Sequence, residues 1–449
     1  MNFVPRPLRI AVIGAGVTGL SAAWLLATRH RVTLYESAPR LGGHSNTVTV
    51  ECSDGRIPVD TGFIVYNELT YPNLVAMFEF LGVATKDSDM SFAVSMDRGA
   101  IEYCGSGLGG LFAQKRNAVR PAFWLMFADL VRFYRNAKAE TRDVSNLTLD
   151  EYLDQGRYSQ AFRDLHLYPM AAAIWSTPAG KIGDYPAAAF IRFCQNHRLL
   201  ELGERPRWRT VDGGSVEYVR KLESLIGDDI RLATPVSAII RRADGVEVRD
   251  ATGATDVFDH VVLATHADQS LAMLADADDR EHEVLGAFRY SKNRALLHKD
   301  ERLMPQRKSV WSSWNYLAAG KGADRKPPSV TYWMNPLQKL PTCDNIFVSL
   351  NSPVEPRPEL LLRELQYDHP VFDAAALNAQ RCVWPLQGRR RTWFCGAWMG
   401  AGFHEDGLQS GLAVAEALGG VRRPWTVEDE SGRVCVGPPP DLAGAELTP

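Results

Sequence analysis

What most limits the possible folds of this chain is a short stretch near its amino terminus. An apolar run at residues 9–13 leads into Gly14-x-Gly16-x-x-Gly19, an Ala/Leu-rich stretch follows to Thr28, and a second apolar alternation at 31–36 ends on Glu36. Each part has a physical reason. Gly14 permits a tight turn, Gly16 lets a pyrophosphate reach the backbone, and Gly19 lets helix and strand pack closely. The helix start then offers unpaired N–H groups and a partial positive charge to phosphate. Glu36 stands where a carboxylate accepts hydrogen bonds from both ribose hydroxyls, and its charge repels a 2′-phosphate, which disfavours NADP. The spacing therefore predicts a β-α-β unit that holds a dinucleotide. Hydropathy alone would mark residues 8–27 as a leader or membrane span. Three glycines interrupt the stretch, no small-residue cleavage site follows, and a strand pattern comes next, so neither reading is expected.

The same spacing recurs at Gly105-x-Gly107-x-x-Gly110, but only a short strand pattern (100–103) precedes it. The acid at a comparable distance, Asp129, falls inside a helical run, so a second nucleotide fold is not expected and an internal NAD(P)H reductase is disfavoured.

Beyond Glu36 the chain carries Arg40-Leu41-Gly42-Gly43-His44, then two alternating segments and Asp60-Thr61-Gly62-Phe63. With the first glycine motif, these elements resemble the flavin amine oxidase and phytoene desaturase superfamily. The resemblance implies FAD, held by Gly14, Gly16, Gly19, Glu36, Arg40, Gly42, Gly43, His44, Thr61, Gly62 and Phe63. His44 takes the place of an arginine usual in the family. Residues 230–240 resemble the strand whose backbone, at Val236, meets the adenine. Residues 246–248, a turn at Asp250 to Gly253, and residues 257–265 read as a hairpin returning to the nucleotide domain. Residues 392–396, ending at Gly396, read as a buried strand, and Glu405, Asp406 and Gly407 open a helix directed at the flavin. Ala397 stands where the family usually has an acid for the ribityl hydroxyls. His404, in the register of an aromatic residue that faces the flavin in amine oxidases, is the candidate catalytic side chain. Tyr66 and Trp384 are weaker candidates.

A narrower resemblance covers residues 9–420. Tyr71-Pro72-Asn73, residues 88–92, 111–115, Ile174-Trp175-Ser176, residues 311–315, Tyr332-Trp333 and 402–407 are similar to the oxidase-like amino-terminal domain of plant cyclopropane fatty-acid synthases and its stand-alone bacterial relatives. This implies a fatty acyl or phospholipid substrate and a desaturation. The alternatives are a redox-neutral fatty-acid isomerase, an amine oxidase, or a flavin-carrying partner of a lipid methyltransferase.

The expected fold class is α/β, with a Rossmann-type FAD-binding domain and a discontinuous α+β substrate domain of amine-oxidase type. The nucleotide domain is expected from residues 1–105, 205–270 and 375–420. The substrate domain comes from a helical insert (106–204) and a mixed-sheet insert (271–374), with 421–449 as a tail that is loose from Gly432. Residues 118–138 form an amphipathic helix that reads either as core-facing or as acyl-lining and membrane-touching. Lys115, Arg116 and Arg120 before it suit either anionic headgroups at the inner membrane face or plain solvent, and residues 389–391 are equally ambiguous. A net charge of −3 supplies no global field for nucleic acid. Seven scattered cysteines without a Cys-x-x-Cys spacing argue against a disulfide framework or a metal site and fit a reducing cytoplasm. The chain also has 11 tryptophans, and Trp175, Trp311, Trp314, Trp333, Trp384 and Trp393 are expected to supply several walls of an apolar substrate cavity.

Overall fold

The computed structural model describes residues 6–438 apart from 106, 140–143, 145–146, 176–181, 197–199, 201–205 and 319–327. Five short strands build a parallel sheet: β1 (Arg9–Ile13), β2 (Arg31–Tyr35), β3 (Ile230–Arg231), β4 (His260–Leu263) and β5 (Thr392–Phe394), in the order β3-β2-β1-β4-β5. Every adjacent pair runs parallel. Their apolar runs, such as Ile10–Ile13, are buried along their length because helices cover such a sheet on both faces.

Four helices position the site: α1 (Val17–Ala27), α2 (Pro72–Leu81), α3 (Pro121–Lys138) and α4 (His404–Gly419). Glycines let α1 and α4 lie side by side. A Cβ on Gly407 would stand 2.7 Å from the Thr18 hydroxyl, and one on Gly411 would stand 2.4 Å from the Thr18 carbonyl oxygen. Gly419 meets Leu26 at the other end, so the two helices run in the same direction with their amino termini together.

The substrate side is a seven-stranded mixed sheet. Its order is Leu361–Val371, Arg289–His298, Phe347–Leu350, Ser329–Trp333, Trp314–Ala318, Phe92–Met96, Ile101–Cys104. The three expected segments of the second insert are there. Residues 92–104, grouped by sequence with the nucleotide segment 1–105, instead supply two strands of this sheet. Phe92–Met96 makes a parallel pair with Trp314–Ala318, a long-range pairing with no local sequence signal. Helix α3 joins two cores. Phe123 and Met126 pack on the sheet, while Phe133 and Ala137 pack among Tyr152, Phe162 and Phe190 of the helical layer.

Three expectations change. Residues 230–240 are two elements, β3 and Val236–Arg241, separated by a turn with Ala233 at φ 49°. The expected hairpin forms, Val246–Asp250 pairing antiparallel with Thr255–Phe258, but residues 257–265 are not one strand: they divide at Asp259 between that hairpin and β4 of the parallel sheet. The tail is docked at least to Pro438. Arg423 is buried, pairs with Glu416 and donates to Asn73, while Trp425 stacks on Trp24 with centroids 5.8 Å apart. A buried guanidinium is tolerable only with such partners, and they anchor the segment.

Candidate functional site

The nucleotide end is built by backbone. The Gly14 N–H donates to the Tyr35 carbonyl (2.8 Å), and Gly14 adopts φ 98°, closing the turn from β1 into α1. A Cβ on Gly19 would lie 1.8 Å from the Gly14 carbonyl oxygen, so this position admits no side chain. Gly16 is different: its Cβ position meets nothing within 4 Å, and it caps α1 without any side-chain partner. Open space, free first-turn N–H groups and a helix dipole coincide where a pyrophosphate is expected. Glu36 follows β2 and accepts from the Ala15 and Ala38 amides, both at 2.8 Å.

The Gly42-Gly43 turn closes over this end. The Gly42 N–H donates to the Ala15 carbonyl (2.8 Å), and Gly43 sits so near Gly16 that a Cβ would come within 3.1 Å of its Cα. Arg40 does not reach outward. Its guanidinium donates to the carbonyls of Leu41, Gly43 and Ser45 and so braces the turn. Thr61 and Phe63 hydrogen bond to the backbone carbonyls of Asn46 and His44, and Gly62 lies against the His44 carbonyl, so the two segments form one wall. Val236 opens its strand and packs on the nucleotide core. The Gly396 N–H donates to the Ser410 hydroxyl of α4 (3.0 Å).

At the start of α4 the side chains serve the protein. Tyr71 precedes α2 and makes no side-chain cap; Glu405 caps that helix instead, accepting from the Asn73 and Leu74 amides, the Asn73 side chain and Gln409. Asp406 accepts from the Phe403 N–H (2.7 Å) and faces Arg433, and burial raises its carboxyl pKa to about 6. Gly407 fits α4 against α1. His404 lies flat on Phe63, with ring centroids 3.7 Å apart. Its Nε2 is within hydrogen-bond distance of the Tyr218 hydroxyl (2.8 Å) and the Ser45 hydroxyl (3.0 Å), and burial lowers its pKa to about 3. It is a neutral ring held in place by two hydroxyls.

Sequence reasoning missed a second group. His44 is half-buried 5.0 Å from the Tyr367 ring and 5.6 Å from the His369 ring, centroid to centroid, and its Nε2 is buried without a hydrogen-bond partner among the described residues. Tyr367 bonds Asn46 and Thr61, tying the substrate sheet to the turn. His369 approaches Asn293, and His266 stacks on Tyr290 at 4.3 Å. Burial drives His44 well below the ordinary histidine pKa, lowers His266, and brings His369 to about 4. The available signal was Tyr367-x-His369, whose i, i+2 spacing on a strand puts both rings on one face. The tryptophan expectation is corrected for Trp311, Trp333, Trp384 and Trp393. Trp393 is buried in the nucleotide core, Trp384 bonds the Pro438 carbonyl of the tail, and Trp311 packs on Trp333 and Phe347. Ser176 lies outside the described residues, and so do the surroundings of the Trp175 side chain.

A family model described as flavin containing amine oxidoreductase matches residues 17–292. The chain belongs to that family. This flavin oxidoreductase is 28% identical to a carotenoid phi-ring synthase of Streptomyces griseus over 190 residues, 38% of this chain and 35% of the synthase. Among solved structures it resembles a conjugated-linoleic-acid-producing fatty acid isomerase from P. acnes (TM-score 0.65, 16% identity, 91% of this chain and 98% of that one). It also resembles a putrescine oxidase (TM-score 0.62, 14% identity, 91% and 98%). At these identities the structural likenesses show the fold.

FAD is the cofactor of this oxidoreductase, and the residues fit it. The space at Gly16, the unpaired α1 amides, the Glu36 carboxylate and the orphaned, buried His44 Nε2 all want a polar ligand threaded between α1 and the Gly-Gly turn. Among the described residues no cluster of His, Cys, Asp or Glu could hold a metal ion, and no helix is long and apolar enough to cross a membrane.

Proposed function

We propose that this flavin oxidoreductase acts on fatty acyl chains and introduces a double bond. One observation carries the reading: the side chains gathered around the turn and α4 leave no charge directed at a substrate. His44, His369 and His404 are held neutral by burial. Asp60 is enclosed by Thr47, Ser215 and Gln338, with its carboxyl raised to about 6 by burial. Arg40 is spent on carbonyls and Glu405 on α2, while Asp368 alternates to the strand face opposite Tyr367 and His369, where its Oδ1 is buried without a hydrogen-bond partner among the described residues. An ammonium or carboxylate at the reacting carbon would be desolvated here without a counter-charge, whereas an acyl chain loses nothing.

FAD held between α1 and the Gly42-Gly43 turn would supply the acceptor for a hydride from a substrate C–H. The chain's own part is to exclude water and to hold the acyl carbon. Phe63 and His404 form a stacked platform, and Ser45 and Tyr218 fix the imidazole so that it positions the substrate. The second hydrogen would leave the neighbouring carbon as a proton, for which the neutral imidazole of His44, with its unpartnered Nε2, is the acceptor the described residues offer. Anaerobic mixing of the holoenzyme with unsaturated or methyl-branched acyl lipids tests this. Bleaching of oxidised flavin with formation of one further double bond is expected. Shifted double bonds without bleaching would make it an isomerase, bleaching by amines alone would make it an amine oxidase, and no response to either class would favour a non-catalytic partner of a lipid methyltransferase.

A further inference from the structure

Helix α3 packs one face into the substrate-domain core and presents another face to solvent. The residues at its start are unusual for an exposed surface. Val119 is 79% exposed, Trp124 49% and Leu125 55%, all within one corner formed by the 3-10 turn Lys115–Val119 and the first turns of α3. Pro121 and Ala122 between them are also exposed. The other large exposed apolar side chains, such as Leu69, Leu225 and Val354, are scattered along the chain. The corner is well ordered by its own contacts. The Trp124 indole N–H donates to the Ala118 carbonyl (2.9 Å), and its ring lies 5.5 Å from Phe112. A tryptophan pinned in this way is not a side chain waiting to fold into the core.

Three cations rim the patch. Lys115 and Arg116 are exposed, and Arg120 donates to the Ala100 carbonyl and the Asn117 side chain. None of the three has an ion-pair partner among the described residues. The nearby carboxylates are already paired: Glu102 is buried on Arg307, and Asp129, one turn beyond Leu125 along the same face of α3, pairs with Arg132. The other basic run behaves differently. Arg389 pairs with Asp278, Arg390 with Asp276, and Arg391 donates to the Ala243 carbonyl. Sequence left the two runs equivalent, and the structure separates them.

We infer that this corner docks the enzyme on an anionic phospholipid surface, with Val119, Trp124 and Leu125 entering the headgroup–acyl boundary and Lys115, Arg116 and Arg120 facing lipid phosphates. An exposed aromatic and aliphatic wedge ringed by unpaired cations matches both components of such a surface. A second protein would need the wedge covered by an apolar face and the cations met by acids, a demand one anionic bilayer already satisfies. Because the buried side of α3 belongs to the substrate domain, docking presents that domain to the lipid. The inference does not depend on the acyl reading, since it is tested without turnover.

The test is co-sedimentation of the holoenzyme with vesicles of phosphatidylcholine alone and of phosphatidylcholine mixed with phosphatidylglycerol. Binding to the anionic vesicles is expected, falling with added salt. Each basic residue should account for about fivefold in the partition coefficient. Lys115→Glu with Arg116→Glu should weaken binding by more than tenfold, and Trp124→Ser with Leu125→Ser should weaken it at every salt concentration. Flavin absorbance and melting temperature verify folding, and the charge pair serves if the apolar pair misfolds. Failure of the wild-type holoenzyme to bind anionic vesicles at low salt would overturn the inference, as would variants that bind like wild type. A dimer that Trp124→Ser dissociates, with no vesicle binding, would assign the patch to self-association instead.

Discussion

Two segments of this protein have identical glycine spacing and opposite fates. Gly14, Gly16 and Gly19 join a buried parallel strand to an 11-residue helix that is itself almost wholly buried, and the next strand is followed by Glu36. Gly105, Gly107 and Gly110 follow Ile101–Cys104, the edge strand of the mixed sheet, and open a helix of only five residues, Gly107–Leu111. Gly107 also has a positive φ (72°), but its Cβ position faces nothing, and Gly110 is small because it lies against Cys104. The lesson is that the glycines do not make the site. A helix long enough to carry a dipole, a parallel neighbour and a terminal acid do so, and the triplet only allows them to meet.

The largest expected break in this comparison is Gly19→Val. Its Cβ would overlap the Gly14 carbonyl oxygen at 1.8 Å, and backbone cannot move aside inside the sheet. A loss of more than about 3 kcal/mol is expected in denaturant unfolding, enough to abolish soluble expression. Gly105→Ala meets only the Phe92 carbonyl oxygen at 3.8 Å and should cost less than about 0.5 kcal/mol.

Gly16→Val separates folding from binding. Nothing stands within 4 Å of its Cβ, so the apoprotein should melt close to wild type, while the isopropyl group fills the space that a pyrophosphate needs. FAD affinity should fall at least ~100-fold, about 2.7 kcal/mol, measured by equilibrium dialysis. A variant that keeps its flavin would place the phosphates elsewhere.

The nucleotide half was legible because its signals are local: turn glycines, a periodic helix and a terminal acid. The substrate half was legible as segments and not as an arrangement. Residues 92–104 join the mixed sheet through pairing with Trp314–Ala318, and nothing in either stretch announces the other. The same limit applies inside the site. Glu405 reads as a flavin-facing acid until α2 is seen to need a cap from outside, since Tyr71 makes none. His44 was legible as a substitution, but its grouping with Tyr367 and His369 depends on a strand that returns from more than three hundred residues away.

Titration probes that grouping. His369 is held at about 4 by burial, below the ordinary histidine value of about 6.5. A depressed histidine contributes stability that is present above pH 6.5 and is lost as the pH falls toward the folded value. At pH 5 the loss relative to pH 7 is about 2 kcal/mol. Asp60 and Asp406, each raised to about 6, act in the opposite sense, their contribution being lost as pH rises through 6. His44, His260, His266, His298 and His404 are depressed as well and act in the same sense as His369, so the summed profile falls toward acid, and His369→Gln isolates the contribution of this one ring. Unfolding free energy compared at pH 7 and pH 5 should shift by about 2 kcal/mol in favour of the acid side in the variant. An unchanged difference would mean that His369 is solvated or charged in the folded enzyme.

The smallest effect decides whether the acid, and not the glycines, distinguishes the two motifs. Glu36→Gln keeps the shape and one acceptor oxygen. The Ala15 and Ala38 amides bond to different carboxylate oxygens, so one of them loses its acceptor, at about 1 kcal/mol of stability. Toward FAD the variant also loses the charge-assisted hydrogen bonds to the ribose hydroxyls, and affinity should fall about tenfold, or 1.4 kcal/mol. Asp129 stands at the equivalent distance from the second triplet, but it lies within α3, where it pairs with Arg132 and accepts from the Ser159 N–H at 2.7 Å. Asp129→Asn should lower stability by a similar amount and leave FAD affinity unchanged. Measured side by side, the pair turns the comparison into a single ratio. If both variants lost flavin equally, the acid after β2 would be acting through the fold alone, and the dinucleotide would owe its place to the backbone of α1 and the Gly42-Gly43 turn.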